Sequence, residues 1–244
     1  MANKPLGIKA YGSIPHLPGS RLGAGDHHCE PGQATICTIK LRDKHDLIIV
    51  TEKLDGSCCA VAKVDGVILA LGRAGYLAQS SKYEQHQLFA DWVRRNEQRF
   101  AALLQDGERV VGEWLAQAHG TRYALQHEPF VVFDLMRGAE RANSEEFAYR
   151  VVPYCITPHI LHLNGPCSIE HALDLLGEHG FHGAIDQPEG AVWRVERNGK
   201  VDYLAKFVRP DKIDGKYLPE ITGGESVWNW QPTPSIDEIK GIVP

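Results

Sequence analysis

This 244-residue sequence has no uninterrupted apolar run approaching the length of a membrane span. Its first residues, Met1 to Lys9, lack the basic-then-apolar layout of a secretory leader. Both absences point to a cytoplasmic protein that does not engage a membrane. There is no internal repeat and no low-complexity tract. Positive charge is not in excess either: 26 Lys and Arg stand against 31 Asp and Glu, for a net charge of -5 and a pI near 6.2. That excludes coating nucleic acid through bulk charge, but it leaves room for an enzyme that grips one nucleic-acid end with a local basic patch. The six cysteines, Cys29, Cys37, Cys58, Cys59, Cys155 and Cys167, are not spaced as a disulfide scaffold, so they read as reduced structural thiols. Cys155, His159, His162 and Cys167 have zinc-compatible chemistry. Their C-x3-H-x2-H-x4-C spacing matches none of the common zinc modules, and core and surface roles are the reading.

What is present is ordinary globular composition, 43% hydrophobic and 23% charged. Residues 1–34 are rich in Gly, Pro and His and read as extended loop. Strand-type runs follow at Thr35–Leu41, Leu47–Glu52, Ser57–Val64 and Val67–Leu71, with the Asp65-Gly66 pair signalling a hairpin. From Ser81 to Leu104 the apolar residues recur at three- and four-residue steps, which predicts helix. Strands return at Arg109–Leu115 and Phe130–Leu135. Ser144 reads as the cap of a short helix, and Ser168 as the cap of another running to Glu178. Ala191–Glu196 and Val201–Val208 form a second hairpin about Asn198-Gly199. This order predicts an α+β domain with antiparallel sheets rather than a doubly wound one. After Pro210 the pattern fades, and from Gly224 only prolines and isolated tryptophans stand out.

The sharpest chemical feature is Glu52-Lys53-Leu54-Asp55-Gly56-Ser57. A lysine ends the apolar strand Leu47 to Val50 and is followed by an Asp-Gly turn, which places one ammonium at the lip of a buried sheet. Alone, such a lysine is an ordinary strand-end residue. Five further fragments follow in order: Gly72-Arg73-Ala74-Gly75, Val111-Gly112-Glu113-Trp114, Val132-Phe133-Asp134-Leu135, Pro188-Glu189-Gly190-Ala191-Val192 and Ala205-Lys206-Phe207-Val208. The series resembles the ordered motifs of the covalent nucleotidyltransferase superfamily of polynucleotide ligases and capping enzymes. Glu-Lys-Leu-Asp-Gly-Ser and Val-Phe-Asp-Leu look most like its RNA ligase 2-type branch. The resemblance covers about residues 47–208.

That resemblance implies an ATP-grasp-like adenylation domain of two antiparallel sheets with flanking helices, ATP lying between them. It implies a three-step reaction: Lys53 attacks the α-phosphorus of ATP, the AMP passes to a 5′-phosphate end, and a 3′-hydroxyl displaces it. Glu52, Arg73, Glu113, Phe133, Glu189 and Lys206 become the expected ATP contacts. Arg73 would bind phosphate or ribose, Glu113 the ribose hydroxyls, and Phe133 would stack on adenine. Glu189 would hold Mg2+ or Mn2+, and Lys206 would meet the α-phosphate. The demand on Lys53 is severe, because at an ordinary pKa only about 0.04% of lysine is neutral at pH 7. Burial, a nearby cation such as Lys206 and a divalent metal would all push its pKa down.

Two departures stand out. Val208 occupies a place that is often lysine in the last motif, so Lys206 serves alone or Arg209 substitutes. Only 36 residues follow Val208. The expected organisation is one nucleotidyltransferase domain over 1–222 and a tail over 223–244, with no separate OB or helical domain. Nucleic-acid contacts would then come from Lys40/Arg42, from Arg94/Arg95/Arg99, from Arg194/Arg197, or from the loop Arg21 to His28. The adjacent Arg209-Pro210-Asp211-Lys212 run echoes a DNA-ligase motif and reads as coincidence. RNA ends are the favoured partner, with DNA possible. The rival readings are a minimal DNA ligase, a nucleotide- or nucleic-acid-binding protein without turnover, and a self-adenylating chain that cannot seal unaided.

Overall fold

A computed structural model describes residues 4–232. Its frame is two antiparallel sheets with helices outside them. Sheet A holds β1 (Asp46–Lys53), β7 (Ile160–Leu163), β8 (Gly190–Arg197) and β9 (Lys200–Val208) in the order β7-β1-β8-β9. Sheet B holds β2 (Ser57–Val64), β3 (Val67–Gly72), β4 (Glu108–Trp114), β5 (Phe130–Arg137) and β6 (Glu140–Arg141) in the order β3-β2-β4-β5-β6. The two expected hairpins form for the expected reason. Asp65 and Gly66 have φ of 51° and 79°, and Asn198 and Gly199 have 50° and 74°, the paired positive values that a two-residue turn needs to match strand twist.

Each sheet carries its own core on its helical side. Sheet B packs under α2 (Glu84–Arg95) and α3 (Glu97–Leu103), where Phe89, Trp92, Phe100, Trp114 and Phe130 form one aromatic cluster. Sheet A packs under α1 (Pro31–Thr38) and α5 (Ile169–Leu176) through Ile48, Val50, Trp193, Val195 and Phe207. The other faces of the two sheets border a shared cleft. Two short helices, α4 (Ser144–Arg150) and α6 (Pro219–Thr222), complete the set.

Four local expectations change. The run Thr35–Leu41, rich in β-branched residues, is helical as far as Thr38. Pro31 sits in the first turn, and Glu30 and Gln33 form a reciprocal capping box that outweighs strand propensity. The long helix over 81–104 is split at Asn96, whose side chain donates to Trp92 O (2.8 Å). The cap of α4 is Asn143, which accepts from Glu146 N (2.9 Å), while Ser144 binds Glu196 instead. Strand β7 has no counterpart in the sequence reading; its pairing with β1 defines it.

The segment after Gly224 is docked along the protein. Asn229 N donates to Ala116 O (2.8 Å), its side chain caps Leu115 O (2.8 Å), and Trp230 packs edge-on against Trp114. The remainder of the expected tail, 233–244, lies outside the described residues.

Sheets A and B are tied by a buried ion network. Asp134 of β5 accepts from Arg194 of β8 (2.7 Å), from Arg141 (3.1 Å) and from the Tyr11 hydroxyl (2.6 Å). Arg194 also reaches Glu196 (2.8 Å) and the Ala142 carbonyl. It is therefore a strut between the sheets and not the exposed nucleic-acid contact expected of it.

Candidate active site

Strand alternation sorts the site. On β1, Ile48, Val50 and Glu52 face the helical side, while Ile49, Thr51 and Lys53 face the cleft. Register does the rest. Lys53 pairs with Gly190, which puts Glu189 beside it, and Thr51, Val192 and Lys206 align across three strands. Lys53 and Lys206, 153 residues apart, thus share one face. The cleft measures about 1110 Å³. Its walls include Lys53 and all six residues singled out as ATP contacts, Glu52, Arg73, Glu113, Phe133, Glu189 and Lys206.

Lys53 Nζ donates to Glu189 Oε2 at 2.5 Å. Burial disfavours its ammonium, but the charges of Glu189 and Glu113 prevail and hold its pKa above the ordinary lysine value. This reverses the depressed pKa expected from sequence. The physical reason is that the counter-charges, and not a second cation, dominate around Nζ. Glu189 and Glu113 are each pushed up to about 7 by burial. Lys206 is lowered, first by burial and then by the Lys53 charge.

The other members sit as follows. Glu113 Oε1 accepts from Gly56 N (3.1 Å), so it holds the turn after Lys53. Arg73 is exposed at the cleft rim and donates to Gly12 O (3.2 Å) and Ser13 Oγ (3.3 Å). Phe133 presents its ring to the cleft, with Tyr11 edge-on against it. Glu52 is the exception. It borders the cleft, yet its carboxylate turns to the opposite side from Lys53 and accepts from Phe181 N (2.9 Å). Arg209 does not border the cleft, so of the two cations considered for the last motif only Lys206 does.

Asp55 anchors the turn by accepting from Gly120 N (3.1 Å) and Thr121 Oγ1 (2.9 Å). Gly56 is required by crowding: a Cβ there would stand 2.5 Å from Trp114 O. Gly56→Ala is expected to lower stability by about 1–3 kcal/mol, read as a fall in the urea midpoint, because backbone atoms must move.

Glu52 gives a pH signature. Burial raises its carboxyl to about 7, against the pull of the Phe181 amide. The folded state therefore holds this proton more tightly than the unfolded state does. Its contribution is favourable at low pH and is lost as pH rises from the ordinary carboxylate range through about 7, by at most about 3 kcal/mol. Glu52→Gln is expected to flatten this loss. Urea midpoints at about pH 5 and about pH 8 should fall further in the wild type than in the variant.

Several residues around the site were given no part in ATP binding by the sequence. His16 Nε2 meets Asp26 (3.0 Å) and His16 Nδ1 meets Ser20 Oγ (2.6 Å), while Asp26 lies 3.9 Å from Lys206 Nζ. Burial and the Lys206 charge hold His16 down at about 4, so it is neutral. The loop 21–28 is thereby placed at the last-motif lysine. A Ser57–His86–Ser81 chain (2.8 and 2.9 Å) lines another wall. Lys212 is buried, donating to Thr121 Oγ1 (2.7 Å) and Gln187 O (2.7 Å), so it clamps the segment after β9 to the Asp55 anchor. The basic patches are largely neutralised. Arg42 binds Asp46 and Asp202, Arg197 binds Asp43 and Asp46, Arg99 binds Glu128, and Arg94 meets Asp91. The four-residue zinc arrangement does not assemble. Cys155 lies in the sheet B core and Cys167 in the sheet A core, and His159 stacks on Phe181.

Two antiparallel sheets about a cleft, with a lysine at a strand end among carboxylates, define a nucleotidyltransferase-type ligase domain. The sequence model described as RNA ligase matches residues 46–208, and this chain belongs to that family. Solved structures of an RNA ligase from Naegleria gruberi share the fold. A mutant form with AMP and Mn aligns at TM-score 0.52 and 16% identity, over 82% of this chain and 60% of that one. A form with PPi aligns at TM-score 0.52 and 20% identity, over 80% and 58%. A mutant form with ATP and Mn gives TM-score 0.52 and 18% identity, over 82% and 60%. This chain thus spans about three fifths of the length of the ligase it matches. A search of curated proteins returned no match. Among the described residues, no helix is long and apolar enough to cross a membrane.

Proposed function

We propose that this chain is an ATP-dependent RNA ligase that works through a covalent lysyl-AMP on Lys53 and joins 5′-phosphate to 3′-hydroxyl ends. The observation that carries the reading is the placement of Lys53 Nζ against Glu189, on the same cleft face as Lys206, in an RNA ligase fold.

The donor set at the lysine suits a hard divalent cation, Mg2+ or Mn2+. Glu189 and Glu113 offer carboxylate oxygens, and burial makes both costly to leave charged and unpartnered. Glu189, with Glu113 beside it, would hold such a cation, which would supply positive charge against the phosphates. Burial and the Lys206 charge act against the Lys53 ammonium, and Glu189, hydrogen-bonded to Nζ and raised to about 7, is placed to take its proton. The neutral amine then attacks the α-phosphorus, forming the N–P bond as the bond to pyrophosphate breaks, and the nitrogen's remaining extra proton is lost to the departing pyrophosphate or solvent. Lys206 on the same face meets the charge that develops on the α-phosphoryl oxygens. Phe133 offers the adenine a ring to stack on, Glu113 offers acceptors to the ribose, and Arg73 at the rim reaches phosphate.

The same proposal includes the domain assignment: one adenylation domain over 1–222, with 223–244 as a tail whose residues Asn229 and Trp230 dock against it. The free thiols, six in all, suit a reducing cytoplasm. A minimal DNA ligase is the second reading, because these groups act on ATP and an end phosphate without distinguishing the sugar.

The substrate test uses enzyme already carrying labelled AMP, chased with 5′-phosphorylated nicks in RNA, in DNA and in hybrid duplexes, and with single strands. Sealing of RNA nicks or ends ahead of DNA is expected. Faster sealing of DNA would replace the reading, and AMP transfer without sealing would mean that the chain needs a partner.

A further inference from the structure

Outside the cleft, His162 of β7, Cys167 of the following turn and His171 of α5 converge. One ligand atom from each lies within 4.8 Å of the others. The residues come from three consecutive elements and meet only because β7 returns along β1, with His162 opposite Val50. We propose that these three side chains form a transition-metal site, with Zn2+ as the fitting ion, that staples the edge strand of sheet A to α5.

The donor chemistry selects the ion. Two imidazoles and a thiol suit a borderline metal such as zinc, whereas the carboxylates around Lys53 suit Mg2+ or Mn2+. In a tetrahedral zinc site the nitrogen and sulfur ligands stand about 3.3–3.8 Å apart, given metal–ligand bonds of about 2.0–2.3 Å. Closing the cluster from 4.8 Å needs a shift of about 1 Å, within the reach of side-chain rotation on partly exposed histidines.

The supports are already in place. Cys167 is buried, with its amide donating to Cys37 O (2.9 Å) and its carbonyl accepting from Trp193 Nε1 (3.0 Å). The thiol therefore stands on the core of sheet A. The turn leading to it is fixed by Asn164 and Gly165, both in the left-handed region at 67° and 89°, and by Asn164 N donating to Ile48 O (3.0 Å). His162 Nε2 meets the Asn164 carbonyl (3.1 Å). A backbone carbonyl holding one ring nitrogen fixes the tautomer and leaves the other nitrogen its lone pair, the usual outer support of a metal-binding histidine. His171 lies in the first turn of α5, where its amide donates to the Ser168 cap (3.2 Å). Three protein ligands leave a fourth position for water.

The test uses the full chain, stripped with chelator and titrated with Zn2+, and in parallel with Co2+ as a spectroscopic stand-in. One equivalent is expected, with the thiolate-to-cobalt charge-transfer band and tetrahedral ligand-field bands, and a rise in melting temperature on adding Zn2+. Cys167→Ser should abolish the charge-transfer band. His171→Asn, at an exposed position, should weaken Zn2+ binding by more than about a hundredfold with the fold intact by circular dichroism. Cys155→Ser and Cys58→Ser should leave the band in place; Cys58 is the thiol bordering the nucleotide cleft. Absence of a tight equivalent in the wild type, or equal affinity in His171→Asn, would overturn the proposal. Neither result depends on ligase activity.

Discussion

Lys53→Ala is expected to abolish covalent uptake of α-labelled AMP, a loss to background. Lys53→Arg is expected to do the same while keeping a cation beside Glu189. The second variant separates chemistry from folding. The Lys53 and Glu189 pair is half-buried and close, at 2.5 Å, and removing one partner of such a pair strands the other charge in the cleft. Alanine could therefore lose activity by unfolding the site, whereas arginine retains the counter-charge. A guanidinium stays protonated at all working pH values and offers no nucleophile. Loss in both variants, with unchanged circular dichroism in Lys53→Arg, would assign the role to the amine. Lys206→Ala should lower the rate of uptake and leave the fold intact, because its only ion-pair partner among the described residues, Asp26, is distant, at 3.9 Å.

Asp134→Ala is expected to destabilise the protein by about 3–5 kcal/mol, measured by urea denaturation. Asp134 is fully buried and accepts from two arginines and a tyrosine. Its removal leaves the guanidinium groups of Arg194 and Arg141 and the Tyr11 hydroxyl facing a site with no acceptor. Because Arg194 rises from sheet A and Asp134 from sheet B, the loss also loosens the spacing of the cleft. Nucleotide affinity should fall with stability. Asp91→Ala removes a solvent-exposed pair with Arg94 and should change stability little.

The residues that gather at the cleft were legible because they are carried by short, ordered fragments. Glu52 to Ser57, Gly112-Glu113 and Glu189-Gly190 announce themselves locally, and strand alternation then decides which side chains reach the cleft. Hairpins were legible for the same reason, since Asp65-Gly66 and Asn198-Gly199 state their backbone geometry. What was not legible depends on partners distant in sequence. Arg194 looks like a surface cation until β8 is set opposite Asp134 of β5. Lys212, read only as part of a coincidental Arg209–Lys212 run, likewise takes its place from distant partners, donating to Thr121 and Gln187. The helix at Pro31–Thr38 was hidden by β-branched residues, although its start signal, Glu30-Pro31 with Gln33, was present. Glu52 was grouped with Lys53 by adjacency, but neighbours on a strand face opposite ways. Cys155 and Cys167 are core thiols, as read, but in different cores, and the approach of His171 to His162 and Cys167 depends on tertiary packing that the sequence does not state.

The central claim is that Lys53 is the site of covalent adenylylation. The most direct measurement is intact-mass and peptide mapping of the wild-type chain after incubation with ATP and Mg2+ or Mn2+, followed by acid treatment and hydroxylamine. One AMP per chain is expected, on the peptide containing Lys53, in a bond that acid and hydroxylamine both break. No added AMP, or AMP mapped to Lys206 or any other residue, would contradict the account.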